Sequence, residues 1–215
     1  MNYLNEVEQK VAESLLQIKA IKLQPKNPFT WASGWKSPIY CDNRVALSHP
    51  SIRTYIRQKL SQLIQEEFGS VDMISGVATA GIPQGVLVAQ DLGLPFSYVR
   101  SSAKAHGRQN LIEGEVISGQ RVVVIEDLVS TGKSSLQAVK ALREAGCSVV
   151  GLVSIFTYGL EVARQNFEDA KCTFHSLCDY GALIRVAAAN SYILESDIDI
   201  LEKWKQNPEN WTPEQ

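Results

Sequence analysis

Hydrophobic residues in this chain recur with two periods, and the switches between them lay out the elements. Leu4, Val7, Val11, Leu15 and Ile18 stand three and four residues apart, so residues 2–21 are expected to form an amphipathic helix. Pro and Gly punctuate residues 25–50. Within FTWASGWKSPIYCDNR, residues 29–44, two short β-like runs flank Ser33-Gly34 and predict a hairpin. Ile52, Tyr55, Ile56, Leu60, Leu63 and Ile64 mark a second helix. From there strand and helix alternate. VDMISGV reads as a strand, ATAGIPQGVLVAQDLG as a turn entering a helix, and PFSYVR as a strand. Residues 101–119 form a long polar loop punctuated by Gly107, Gly114 and Gly119. Strand 121–125, helix 132–145, strand 148–156, helix 160–168 and strand 172–175 follow, then helical segments near 178–187 and 193–206 and a tail from Pro208. Alternation of this kind predicts an α/β chain with a mostly parallel sheet flanked by helices.

Composition narrows the class. The chain has 215 residues, 45% hydrophobic and 20% charged, as in an ordinary globular domain. Its 21 basic and 23 acidic residues give a net charge of −2, which argues against general nucleic-acid binding. MNYLNEVEQK carries acids and no apolar segment, and VVGLVSIFTYGL is too short to span a bilayer. The expectation is a cytoplasmic protein with no membrane partner. Cys41, Cys147, Cys172 and Cys178 are then expected to be reduced. Cys172, His175 and Cys178 lack the paired spacing of a zinc site and read as thiols flanking a strand.

In a parallel sheet, ligands sit at the carboxyl ends of the strands. Three loops reach that edge: 78–81, 100–114 and 126–134. The last lies in VVVIEDLVSTGKSS, residues 122–135. Gly132-Lys133-Ser134 looks like the tail of a nucleotide P-loop, but the glycine required five positions earlier is Asp127, whose carboxylate repels phosphate. What remains is a buried strand, two acids, a small-residue loop and a helix start. The loop and helix start suit one phosphate monoester. Glu126 and Asp127 suit adjacent sugar hydroxyls or a magnesium ion.

VVVIEDLVSTG resembles the phosphoribosyl-diphosphate motif of the type I phosphoribosyltransferases: four apolar residues, two acids, two apolar residues, then a hydroxyl residue, a small residue and Gly. RSSAKAHGRQNLIEGE, residues 100–115, resembles the mobile catalytic loop of the orotate phosphoribosyltransferase family. FTWASGWKSPIYCDNR resembles that family's N-terminal hood, and GVATAGIP, residues 76–83, its diphosphate loop. The resemblance covers nearly the whole chain. It implies a type I phosphoribosyltransferase fold in one domain, residues 1–215, with a small hood at about 22–48 joined by the N-terminal helix, and a core at about 49–206.

The implied reaction joins the ribose 5-phosphate of phosphoribosyl diphosphate to N1 of orotate. It gives orotidine 5′-phosphate and diphosphate, with magnesium, in pyrimidine nucleotide synthesis. The family match assigns Lys104, His106 and Asp127 to catalysis. It assigns Thr79, Ala80, Arg100, Lys104, His106, Glu126, Asp127, Leu128, Val129, Ser130, Thr131, Gly132, Lys133 and Ser134 to phosphoribosyl diphosphate. Ser130, Lys36 and Arg44 are the orotate candidates, with Arg44 the preferred carboxylate anchor because a guanidinium fork matches a carboxylate in two bonds. Mg2+ is expected to arrive with phosphoribosyl diphosphate, near Asp127 and without a dedicated protein ligand. Arg100, Lys104 and His106 serve the neighbouring subunit of a homodimer on this match, and a cis peptide is expected between Ala78 and Thr79.

The pattern also departs from the family. Ala32, Ala80, and Ser101 or Ser102 stand where some members carry lysine, and Tyr158 where some carry an arginine that grips the orotate carboxylate. Two alternatives remain. A purine phosphoribosyltransferase would differ in the hood, and a non-enzymatic nucleotide-binding regulator would lose the cations at 100, 104 and 106. A fused decarboxylase domain is not expected in a chain ending at Gln215.

Overall fold

The computed structural model describes residues 3–31, 34–102 and 111–213. In chain order the elements are α1 (Tyr3–Gln17), β1 (Ile21–Leu23), β2 (Phe29–Thr30), β3 (Lys36–Ser37), β4 (Ile39–Cys41), a 3-10 turn (Asn43–Ser48), α2 (Pro50–Phe68), β5 (Met73–Val77), α3 (Gly81–Leu92), β6 (Phe96–Val99), β7 (Ile112–Glu113), β8 (Arg121–Val129), α4 (Lys133–Glu144), β9 (Ser148–Thr157), α5 (Glu161–Asp169), β10 (Phe174–Asp179), α6 (Tyr180–Ala189), a 3-10 turn (Glu195–Asp197) and α7 (Ile198–Gln206). The chain divides into two compact units, one made of Met1–Ser48 with Cys178–Gln215, the other of His49–Leu177.

A six-stranded sheet in the order β10-β9-β8-β5-β6-β7 organises the second unit. β5 pairs in parallel with β6 and β8, β8 in parallel with β9, and β7 joins antiparallel at the edge. Alternation along β8 divides the core. Val122 and Val124 join Val139, Leu142, Leu152 and Phe167 in one apolar cluster. Val123 and Ile125 are equally buried, and their side chains leave a strand on the opposite face, as successive residues must. Both faces are therefore covered, which is why the strand is continuously apolar.

Three elements differ from the sequence expectation. β8 runs on through the acids to Val129, because β9 continues beside it: Leu128 pairs with Phe156 and Val129 with Thr157. The 101–119 stretch contains β7, held by Tyr98↔Glu113 and Val99↔Ile112 and by burial of Ile112. β10 extends to Asp179, and α6 starts only at Tyr180, where the Asp179 carboxylate caps it by accepting the Ala182 N–H at 2.7 Å. A strand edge that mixes His, Ser and Cys with Leu has no clear period, so its end was not legible.

In the first unit, α1 buries Val7, Val11 and Leu15 and packs on α6. The expected hairpin forms: β2 pairs antiparallel with β3 around Gly34, with Thr30 opposite Lys36. A second pair, β1 with β4, was not foreseen. Trp204 of α7 is fully buried, donates its indole N–H to the Lys36 carbonyl at 3.2 Å, and meets Trp31 edge-on at 5.6 Å. One aromatic residue from the far end of the chain thus anchors the hairpin.

Candidate active site

The carboxyl ends of β5, β6 and β8 bring the 78–81 and 126–134 loops together with Arg100 and Leu111 within the second unit. Close packing of backbone explains how. A Cβ on Gly81 would lie 2.4 Å from the Ile125 carbonyl oxygen, so only glycine lets the start of α3 rest on β8 beside Glu126. The Thr79-Ala80 turn precedes it, and the Ala78–Thr79 peptide is cis, as expected. The Ala78 N–H donates to the Val99 carbonyl at 2.9 Å, and the Arg100 N–H to the Leu111 carbonyl at 2.8 Å. These two bonds set the base of the 101–110 segment next to the turn. The Arg100 guanidinium lies 3.4 Å from the Glu113 carboxylate, a partner the sequence did not suggest.

Glu126 and Asp127 lie in two different environments. Glu126 is 5% exposed. Its carboxyl accepts the Asp127 N–H at 3.1 Å and the Ser135 hydroxyl at 3.3 Å. Burial, reinforced by the charge of Asp127 and a hydrogen bond between the two carboxyls, pushes Glu126 up to about 9. It therefore holds a proton at neutral pH in this structure. Asp127 is half-buried, with one side towards solvent. Leu128 and Val129 belong to the strand. The Val129 side chain is in the core, and its carbonyl accepts the Thr157 hydroxyl and the Tyr158 N–H at 3.1 Å each.

The small-residue loop follows. Gly132 adopts a left-handed φ of 77°, and the Leu136 N–H donates to its carbonyl at 2.8 Å to open α4. No side chain caps this helix start, and Lys133 and Ser134 are exposed, Ser130 and Thr131 half-buried. The arrangement leaves first-turn N–H groups and the positive helix end for an anion. Two supports from α5 reach the loop and were not suspected: the Asn166 side-chain amide donates to the Thr131 carbonyl at 2.9 Å, and the Phe167 ring fills the space beside Gly132. A separation of 35 residues carries no sequence signal for such a contact.

Lys36 and Arg44 belong to the first unit. Lys36 donates to the Thr30 hydroxyl at 2.8 Å, and the Arg44 fork engages both oxygens of Asp42 at 2.6 and 2.9 Å. The guanidinium holds Asp42 below the usual carboxylate range. Tyr158 is buried with its ring edge-on to Phe156 at 5.5 Å, so it offers no surface group where relatives place a cation. Ala32, Lys104 and His106 lie outside the described residues. None of the four cysteines forms a disulfide, and among the described residues no cluster of three His, Cys, Asp or Glu is placed to hold a metal. No described helix is long and apolar enough to cross a membrane.

Residues 46–185 match the phosphoribosyl transferase domain model. The chain is 56% identical to an orotate phosphoribosyltransferase of Bacteroides fragilis and 55% identical to one of Phocaeicola vulgatus, each alignment covering 97% of this chain and 98% of that protein. Among solved structures, the orotate phosphoribosyltransferase of Aeropyrum pernix superposes with a TM-score of 0.74 at 26% identity, over 86% of this chain and 99% of that one. An acid pair in a buried strand, an uncapped helix start and a glycine-packed turn at one sheet edge, together with this similarity along almost the whole length, make the chain a member of the orotate phosphoribosyltransferase family.

Proposed function

We propose that this protein transfers ribose 5-phosphate from phosphoribosyl diphosphate to N1 of orotate, releasing diphosphate and forming orotidine 5′-phosphate. The observation that carries this reading is the continuous β8–loop–α4 unit, which offers carboxyls and an uncapped helix start a few residues apart. A ligand with a sugar diol and a terminal phosphate matches that order.

In the transfer, the bond from the anomeric carbon to diphosphate oxygen breaks, a bond from that carbon to N1 of orotate forms, and the N1 proton leaves with the diphosphate. Positive charge builds on the ribose and negative charge on the leaving diphosphate. Asp127, the half-exposed member of the pair, faces the ribose hydroxyls and balances the cationic sugar. Glu126 keeps its proton and accepts a ribose hydroxyl hydrogen bond through its carbonyl oxygen. Residues 130–134 hold the 5′-phosphate, and the Thr79-Ala80 turn takes the diphosphate. Arg100 exchanges Glu113 for the departing diphosphate, joined by Lys104 and His106. His106 donates a proton to the leaving group, a role an imidazole can fill near neutral pH.

Mg2+ fits this donor set. Magnesium retains waters and uses one or two carboxylates with substrate phosphates, and the described residues offer the Asp127 carboxylate without a protein cage. Bound there with the substrate, it would neutralise charge on the diphosphate. For orotate, Ser130 and Lys36 remain candidates, and Arg44 is the preferred carboxylate anchor, releasing Asp42 to take it. A homodimer that shares loop residues across its interface, in the cytoplasm, completes the reading.

The test is loss of orotate absorbance with purified protein, phosphoribosyl diphosphate and magnesium, run beside adenine, hypoxanthine and uracil. Orotate consumed only when both other components are present supports the assignment. Turnover of another base instead would transfer the reading to a different phosphoribosyltransferase.

A further inference from the structure

The loop that begins α4 is shaped from outside by the next βα unit. Asn166 on α5 donates its side-chain N–H to the Thr131 carbonyl at 2.9 Å. On the neighbouring residue, the buried Phe167 ring occupies the space where a Gly132 side chain would start, with a Cβ there 2.7 Å from the ring. Phe167 is itself fixed, stacked on Phe174 at 4.6 Å and 16°. On the strand side, the Thr157 hydroxyl donates to the Val129 carbonyl at 3.1 Å and accepts the Gly159 N–H at 3.1 Å. The loop between Val129 and α4 is thus tied at its entrance by β9 and at its middle by α5.

An anion site made of backbone N–H groups works only if those groups converge before the ligand arrives, since any reordering on binding is subtracted from affinity. Within the loop, the described hydrogen bond to the Thr131 carbonyl and the ring packed beside Gly132 come from α5, while the Gly132 carbonyl accepts the Leu136 N–H of α4 at 2.8 Å. When the Asn166 amide holds the carbonyl of residue 131, the peptide that follows is oriented with its N–H on the opposite side.

We propose that Asn166 is a positioning residue for the 5′-phosphate of phosphoribosyl diphosphate: it holds the Thr131 peptide, against the Phe167 packing, so that the loop N–H groups face the phosphate. This rests on the reading that residues 130–134 bind that phosphate.

Asn166→Ala removes the donor from a half-buried helix position. It should raise the Kd for ribose 5-phosphate and the KM for phosphoribosyl diphosphate together, by roughly fivefold, as expected for one hydrogen bond. The Kd for magnesium diphosphate and the KM for orotate should stay unchanged. Asn166→Gln, which keeps a donor on a longer stem, should recover part of the loss. A ribose 5-phosphate Kd that does not move in Asn166→Ala overturns the proposal, as does equal weakening of ribose 5-phosphate and diphosphate, the pattern of general loosening. Ser134→Asp separates this from the underlying reading, because a carboxylate in the loop must abolish ribose 5-phosphate binding if the phosphate sits there. Intact binding in Ser134→Asp removes the loop assignment. Abolished binding there, with Asn166→Ala unaffected, removes the brace alone.

Discussion

The loop at 130–134 and the hairpin at 29–37 are both short connections that carry polar residues, yet they are held by different means. The loop at 130–134 leaves a nine-residue buried strand, enters a twelve-residue helix and is tied by Thr157, Asn166 and Phe167. The hairpin at 29–37 has strands of two residues each, and its charged candidate Lys36 is bound to Thr30 on the surface; Arg44, in the 3-10 turn that follows β4, is bound to Asp42. The hairpin's principal anchor is one buried tryptophan, Trp204. The groups that would meet phosphate and ribose are thus fixed before a ligand arrives. The groups that would meet the base must first exchange partners. Departures from the family pattern do not follow that division: Ala32 belongs to the hairpin, Ala80, Ser101 or Ser102 and Tyr158 to the second unit, while VVVIEDLVSTG keeps its full pattern.

Four changes test that contrast, beginning with the largest effect. Trp204→Ala removes a fully buried ring and should destabilise the first unit by about 3–5 kcal/mol in urea denaturation. If the hairpin depends on this anchor, the KM for orotate should rise more than the KM for phosphoribosyl diphosphate. Equal rises would show that the two regions are not held separately.

Gly81→Ala attacks the other region. A methyl group 2.4 Å from the Ile125 carbonyl must push α3 off β8. The expected cost is about 1–3 kcal/mol of stability, with loss of phosphoribosyl diphosphate binding in calorimetry. Unchanged binding would mean that the turn tolerates displacement and that its close packing is not what positions the diphosphate.

The buried acid makes a pH prediction. The Glu126 carboxyl titrates near 4.5 unperturbed and at about 9 in the fold, so the folded chain holds the extra proton between those values. Stability from this residue is therefore fully present below ~4.5 and is lost as pH rises towards about 9. Glu126→Gln keeps the neutral shape and should flatten that decline in urea titrations at pH 5, 7 and 9. A decline as steep in the variant would assign the loss to another group.

The smallest effect concerns the surface pair. Asp42→Asn frees the Arg44 fork from an exposed ion pair and should change stability by less than ~1 kcal/mol. If Arg44 takes the orotate carboxylate, this variant should lower the KM for orotate and Arg44→Ala should raise it. No change in either would leave the carboxylate to another residue.

Much of this was legible from local pattern. The continuous apolar run at 122–125, the acids after it and Gly132 before a helical period are all short-range signals, and they locate the strand, the loop and the helix start. The same signals misplace ends. Period alone stops β8 at Ile125, because Glu126 and Asp127 read as polar punctuation. The strand continues because β9 still offers partners at Phe156 and Thr157. β7 has two residues and no period, so pairing with β6 had to reveal it.

Which atoms fill the sites that the pattern marks is a separate matter. Residue type and spacing determined that a buried strand ends in two acids and runs into a small-residue loop and a helix start, because those features depend on hydrogen bonding and sterics within a few residues. Tertiary structure decided that Glu126 holds a proton, that Glu113 occupies Arg100, that Asp42 occupies Arg44, and that Asn166 and Phe167 shape the loop. Burial and long-range contact set a protonation state or a brace, and neither is written in the periodicity of a single segment.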